Sequence, residues 1–124
     1  VGKEILRYMH PRKSGPILFT GASASIRGKS GYCAFSGGKQ ALRALAQSMA
    51  REIGPKGIHV SHVIIDGLIE NDNARSLFPE DFDSRPKDGI LQPVEIAEVY
   101  WQLYRQSKSA WTFETELRPY SESF

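Results

Sequence analysis

Two short apolar runs separated by one long amphipathic pattern constrain the fold of this chain more than anything else in it. Ile17-Leu18-Phe19-Thr20 follows Gly15-Pro16 and precedes a loop rich in Gly and Ser, from Gly21 to Gly31. An apolar run between turn formers reads as a buried strand. From Tyr32 to Ile53, Leu42, Leu45, Ala46, Met49 and Ile53 fall on one face at the 3.6-residue period, and Gly54-Pro55 supplies the stop. Ile58 to Ile65 is again apolar and β-branched, starts after Lys56-Gly57 and ends at Asp66-Gly67. Strand, loop, long helix and strand form a βαβ unit, which joins parallel strands by a right-handed crossover. The expected class is α/β, with helices covering the sheet.

The flanks extend this pattern. Val1, Ile5, Leu6 and Met9 recur at helical spacing, and the run is expected to stop at His10-Pro11 because proline disfavours helix for the residue before it. Residues Leu68 to Leu91 are polar, broken by Pro79, Pro86 and Gly89, and too long for a plain connector, so 68–91 is expected to be a loop covering a site. Pro93 opens a helix with an apolar stripe of Ile96, Val99, Tyr100 and Leu103. Trp111, Phe113, Thr115 and Leu117 then alternate as in a last strand over Ala110 to Leu117. The predicted order is helix, strand, long helix, strand, loop, helix, strand.

Composition excludes several classes of partner. The 124 residues carry 16 basic and 14 acidic side chains, a formal charge of +2, with no basic run to suggest nucleic acid or a membrane surface. No apolar stretch approaches the roughly 18 residues of a membrane span, so a soluble chain is expected. The single Cys33 has no intramolecular disulfide partner, which fits a reducing compartment such as the cytoplasm. The chain begins Val1-Gly2-Lys3-Glu4 without Met or an apolar leader, and is expected to be the tail of a longer protein.

Short motifs offer competing chemistries. Ser23 to Ser30 ends Gly-Lys-Ser after a strand, as a phosphate loop does, but Ser23 stands where such a loop needs glycine and Gly21 lies two residues too early. Gly21-Ala22-Ser23-Ala24-Ser25 is one residue short of a nucleophile elbow, and no His follows His62. His59 and His62 are three apart on a predicted strand, point to opposite faces and cannot chelate a metal together. Arg27 and Lys29 read as a solvated loop, and Cys33 as a small packing residue.

What the chain resembles, piece by piece and in order, is the C-terminal half of the short-chain dehydrogenase/reductase family. Tyr32-Cys33-Ala34-Phe35-Ser36-Gly37-Gly38-Lys39-Gln40-Ala41-Leu42 is similar to the family's Tyr-x-x-x-Lys helix. Ala50-Arg51-Glu52, Gly54 and Gly57-Ile58-His59-Val60 resemble the helix end and next strand, and Asp66-Gly67-Leu68-Ile69-Glu70-Asn71 stands where the family has Pro-Gly-x-Val-x-Thr. The resemblance implies a Rossmann-type, doubly wound parallel sheet, of which residues 1–124 are one partial domain, and NAD or NADP as cofactor. It implies that Lys39 binds the ribose hydroxyls, that Gly67 and Ile69 contact the nicotinamide through backbone atoms, that Asn71 takes the place of the usual Thr, and that 68–91 is the substrate loop.

The departures bear on catalysis. Phe35 occupies the position of the catalytic Tyr and has no proton to exchange. The family's Ser falls on Ala22, with Ser23 adjacent. Tyr32 precedes Lys39 by seven residues, so the two share a helix face about two turns apart, roughly 10 Å along the axis. Ser23, Tyr32 and Lys39 are therefore the candidate catalytic residues. No Gly-x-x-x-Gly-x-Gly fingerprint precedes the first strand, so the chain alone is expected to bind dinucleotide poorly. The implied activity is hydride transfer to or from a small carbonyl, alcohol or conjugated substrate, in a homo-oligomer formed through the helix at 32–53. A non-catalytic dinucleotide-binding protein is the second reading, and a phosphate-loop NTPase a distant third.

Overall fold

The computed structural model describes residues 2–123, so Val1, assigned above to the first apolar stripe, lies outside them. The elements run α1 (Gly2–Arg12), β1 (Pro16–Ala22), α2 (Cys33–Ile53), β2 (His59–Ile65), α3 (Asp72–Leu77), α4 (Pro79–Asp83), α5 (Pro93–Arg105) and β3 (Glu114–Leu117). The three strands form one parallel sheet in the order β1-β2-β3. Pro16 lies beside His59 and Ala22 beside Ile65, so β1 and β2 end level with each other.

Alternation along the strands sends side chains into two cores. Ile17, Phe19 and Val60 pack on one face with Leu6 and Met9 of α1 and Met49, Ala50 and Ile53 of α2. Leu18, Val63, Ile65 and Leu117 pack on the other with Ile96, Val99, Tyr100 and Leu103 of α5. Each fully buried aliphatic side chain contributes about 1.5–3 kcal/mol. Helices on both faces of a parallel sheet give the α/β architecture that the βαβ pattern predicted, and it is the Rossmann-type arrangement that the resemblance implied.

Four local expectations are corrected. α1 does not stop before Pro11 but includes it and runs to Arg12. Only one backbone donor is lost there, in the last turn, before Lys13 leaves the helix at φ 50°. The last strand is confined to Glu114–Leu117, and Lys108–Ala110 is a 3-10 turn. Upstream of the strand the Gln106 carboxamide accepts from Thr112 N at 2.7 Å and donates to Thr112 Oγ1 at 2.8 Å, while Trp111 stacks on His59 at 4.8 Å. Those groups serve side chains instead of a ladder. On α2, Leu45 is 50% exposed, and Cys33 is exposed at the helix start instead of packing. Finally, 68–91 contains α3 and α4, and its ends are stitched by a parallel bridge between Ile69 and Leu91.

Gly21 is required by close approach. A Cβ on Gly21 in β1 would lie 2.4 Å from His62 Nε2 and 2.8 Å from Ser25 Oγ, and His62 is completely buried. Gly21→Ala is therefore expected to lower stability by about 1–3 kcal/mol through overpacking. Urea denaturation measures this, and an unchanged midpoint would show that the His62 ring gives way freely.

Candidate functional site

β1 and β2 end side by side, and the chain leaves them at Ser23 and Asp66. Between these exits and the first turns of α2 lies a cleft of about 370 Å³, lined among others by Ser23, Arg27, Tyr32, Phe35, Ser36, Asp66 and Gly67. In open α/β sheets the crevice outside the carboxyl ends of the strands is where ligands bind. The loop entering the cleft is shaped by its own hydrogen bonds: Ser23–Ser25 is a 3-10 turn, Ser25 Oγ accepts from Ala22 N at 3.0 Å, and Arg27 N donates to Ser23 O at 3.1 Å.

Asp66 organises the charges. It is 1% exposed, and burial alone would push its carboxyl up. A short hydrogen bond from Ser23 Oγ opposes this, as do the Arg27 charge and its hydrogen bonds from Nη2 at 2.9 and 3.1 Å, and Arg118 at 3.5 Å. The net result holds Asp66 below the usual carboxylate range. Arg27 is thus no solvated loop residue, as its sequence context suggested, but the partner of a buried acid. At the other rim, Arg85 from the 68–91 segment pairs with Glu122 at 2.7 Å, and Leu68 adds to the same lining.

A second polar chain lies beneath α2. Arg43 grips Glu114 with two hydrogen bonds at 2.8 and 2.7 Å, and Glu114 Oε2 lies 2.9 Å from His62 Nδ1. The Arg43 hydrogen bond, supported by His62 and working against burial, holds Glu114 below its ordinary range. His59 instead meets Thr112 O at 2.9 Å, so the two histidines serve separate partners. Among the described residues no cluster of metal-ligating side chains forms.

The structure brings Ser23, Tyr32 and Gly67 together in the cleft with Phe35. Lys39 lies one turn beyond Phe35, with Nζ 5.8 Å from that ring, and donates to Thr20 O at 3.0 Å. It lines a shallower groove with Ala34, Phe35, Gly38 and Leu42. Ile69 is on the outside of the 68–91 segment, and the Asn71 side chain caps α3 by accepting from Ala74 N at 2.8 Å. Ser36 escaped the sequence reading: it is 7% exposed, lines the cleft, and its Oγ has no partner among the described residues. The motif position next to Phe35 was its only signal. The Gly28-Lys29-Ser30 stretch does not run directly into a helix, because a turn from Lys29 O to Tyr32 N intervenes before α2.

The short chain dehydrogenase family matches residues 1–81. The 3-oxoacyl-(acyl-carrier-protein) reductase of Escherichia coli K12 is 31% identical over 94 residues, covering 76% of this chain and 36% of that protein. A 3-dehydrosphinganine reductase of Danio rerio is 28% identical over 105 residues, covering 78% of this chain and 30% of the relative. A solved short-chain dehydrogenase from Rhodopseudomonas palustris is 48% identical, covers 96% of this chain and 45% of its own, and superposes with a TM-score of 0.72. The chain thus spans 36% and 30% of the length of these two curated relatives.

Because the folded-state pKa of Asp66 lies below its unfolded value, the stability it contributes is complete above the ordinary carboxylate range and is lost as pH falls below about 4. Thermal melts between pH 6 and pH 2 should show a smaller acid-induced drop for Asp66→Asn than for the parent. Parallel curves would mean that the Ser23 and Arg27 contacts do not favour the charged form.

Proposed function

This chain belongs to the short-chain dehydrogenase/reductase family, and from that premise we propose that it acts as the substrate-side part of an NAD(P)-dependent oxidoreductase. The reaction moves hydride to or from a small carbonyl, alcohol or conjugated substrate. The observation that carries the reading is the cleft at the ends of β1 and β2, where Ser23, Phe35 and Ser36 face one another beside a buried acid.

The residues present fit the nicotinamide end of a dinucleotide. Ser36 Oγ is a buried polar atom without a partner at the cleft, the kind of group that a bound amide or hydroxyl satisfies. A Cβ on Gly37 or Gly38 would meet nothing within 4 Å among the described residues, so none of these accounts for a glycine pair that costs about 1 kcal/mol per residue in a helix; close approach of a cofactor or a second surface would. In this reading Lys39 exchanges its bond to Thr20 O for ribose hydroxyls, and the backbone at Gly67, Ile69 and Asn71 borders the nicotinamide. The dinucleotide, when bound, supplies or accepts the hydride. Solved proteins of the same fold include a serine dehydrogenase complexed with NADP+ (15% identical, TM-score 0.85) and an actinorhodin polyketide ketoreductase with NADPH (18% identical, TM-score 0.79).

Ser23 is the hydroxyl best placed to meet a substrate oxygen. Its hydroxyl donates to Asp66, which fixes the rotamer and leaves lone pairs that accept from a substrate alcohol, with no hydrogen left for a carbonyl oxygen. Tyr32 contributes a half-exposed wall, edge-on to Phe35 with ring centres 6.3 Å apart. The segment 68–91 closes the rim through Leu68 and Arg85. The proposal extends to a cytoplasmic setting, suited to the lone thiol of Cys33, and to a homo-oligomer through α2, whose Tyr32, Phe35 and Leu45 are half exposed.

Phe35 favours a second reading, a family member that binds dinucleotide without catalysing proton-coupled reduction. Isothermal titration of the full-length parent with NADPH, NADH and ATP separates these classes, and a preference for ATP would sink the oxidoreductase reading. Lys39→Ala should weaken dinucleotide binding about tenfold, the loss of a charge-assisted hydrogen bond; unchanged affinity removes Lys39 from the site. Phe35→Tyr should raise the rate of carbonyl reduction if the helix keeps the geometry of the family, and no gain would point to the non-catalytic reading.

A further inference from the structure

Two departures from the family pattern meet in the same cleft. Phe35 removes a proton donor, and Asp66 puts a carboxylate where proline is usual. We propose that they compensate, with Arg27 as the group that binds the substrate oxygen when it carries negative charge. The inference rests on the oxidoreductase reading above.

A carboxylate as buried as Asp66 is costly unless paired and hydrogen-bonded, and Arg27 answers that cost with a single nitrogen. Nη2 spans both carboxylate oxygens at 2.9 and 3.1 Å, so the pair leaves Nε and Nη1 uncommitted to Asp66. The Arg27 side chain is 40% exposed and lines the cleft beside Tyr32, Phe35 and Ser36. A guanidinium presents its N–H donors in one plane. Held at one corner by a buried acid, it offers the remaining edge in a fixed orientation, which suits an oxygen anion. Lys29 is a poorer candidate, being exposed, with its ammonium over the Tyr32 ring at 5.4 Å.

The chemistry balances without a phenol. In carbonyl reduction a hydrogen and an electron pair pass to the substrate carbon from a reduced nicotinamide dinucleotide, which is oxidised. The C=O π pair moves onto oxygen, and that oxygen then takes a proton from water, which leaves to solvent as hydroxide. Arg27 stabilises the charged oxygen between these events. Its own proton stays in place across the ordinary pH range, and its preorganisation by Asp66 makes the contact strongest when the charge develops.

Short carboxylates, acetate to hexanoate, are stable carriers of the same charged oxygen and test the assignment on the chain itself. Titration followed by arginine side-chain 15N–1H spectra should shift the Arg27 Nε signal saturably, while acetamide should not. Arg27→Gln should weaken carboxylate binding about tenfold or more, and Arg27→Lys, which keeps the charge and loses the fork, should fall between. Unchanged affinity in Arg27→Gln, or equal binding of acetamide, overturns the proposal. If circular dichroism shows that Arg27→Gln does not fold, the parent spectrum decides: an Arg27 signal that carboxylate leaves unmoved is equally fatal. NADPH binding is measured separately. Carboxylate bound at Arg27 in a full-length parent that binds no dinucleotide would overturn the oxidoreductase reading and leave the anion site standing.

Discussion

Every residue of β2, from His59 to Ile65, is buried, and this constraint sets most of what surrounds it. A strand paired on both edges and covered on both faces has no solvent side on which to place polar groups. Its polar residues must be satisfied internally or left costly. Ser61 and His59 donate to or meet the carbonyls of Phe113 and Thr112, and His62 meets Glu114. The segment that becomes β3 is thus held by side chains of β2 as well as by the ladder. The Gly21 contact follows from the same crowding, since β1 makes room for the His62 ring by giving up a side chain.

Where β2 ends, its burial passes to Asp66, and here the accounting changes from packing to charge. A buried ion pair is weak evidence for net stability, because desolvation offsets much of the attraction. Asp66 with Ser23, Arg27 and Arg118 is better understood as a device of position. It fixes the loop after β1 to the loop after β2, across 43 and 39 positions of sequence. The groups it fixes are those that face the cleft.

Much of the fold was legible in the sequence because it rests on local periodicity. The strand at Ile58 to Ile65, the helix ending at Gly54 and the stripe of Ile96, Val99, Tyr100 and Leu103 are each set by spacing within a few turns, and the structure places them as read. The misreadings came where distant partners decide. Trp111 and Phe113 alternate like strand residues, yet the Gln106 and His59 side chains take Thr112 and Trp111, and the sheet is joined only from Phe113 O, which accepts from His62 N at 2.7 Å. Arg27 looked solvated among Gly and Ser because nothing near it in sequence reveals a buried acid so far downstream. Ser36 was hidden for a similar reason: a serine in the first turn of a helix carries no local mark of burial. At the site, the resemblance named the helix and the loop, while the sequence alone was silent on how Asp66 draws them together.

The bridge between Ile69 and Leu91 makes the 68–91 segment modular. Glu70 N and Leu91 N donate across this neck to Leu91 O and Leu68 O, both at 2.9 Å. The intervening residues therefore form a side excursion whose entrance and exit are tied together, and changes in its length add little closure cost to the rest of the chain. An excursion of this kind can be exchanged wholesale between relatives while β2 and its buried acid stay untouched. Diversification of the rim and preservation of the floor are separable in this architecture, because the neck lies between them.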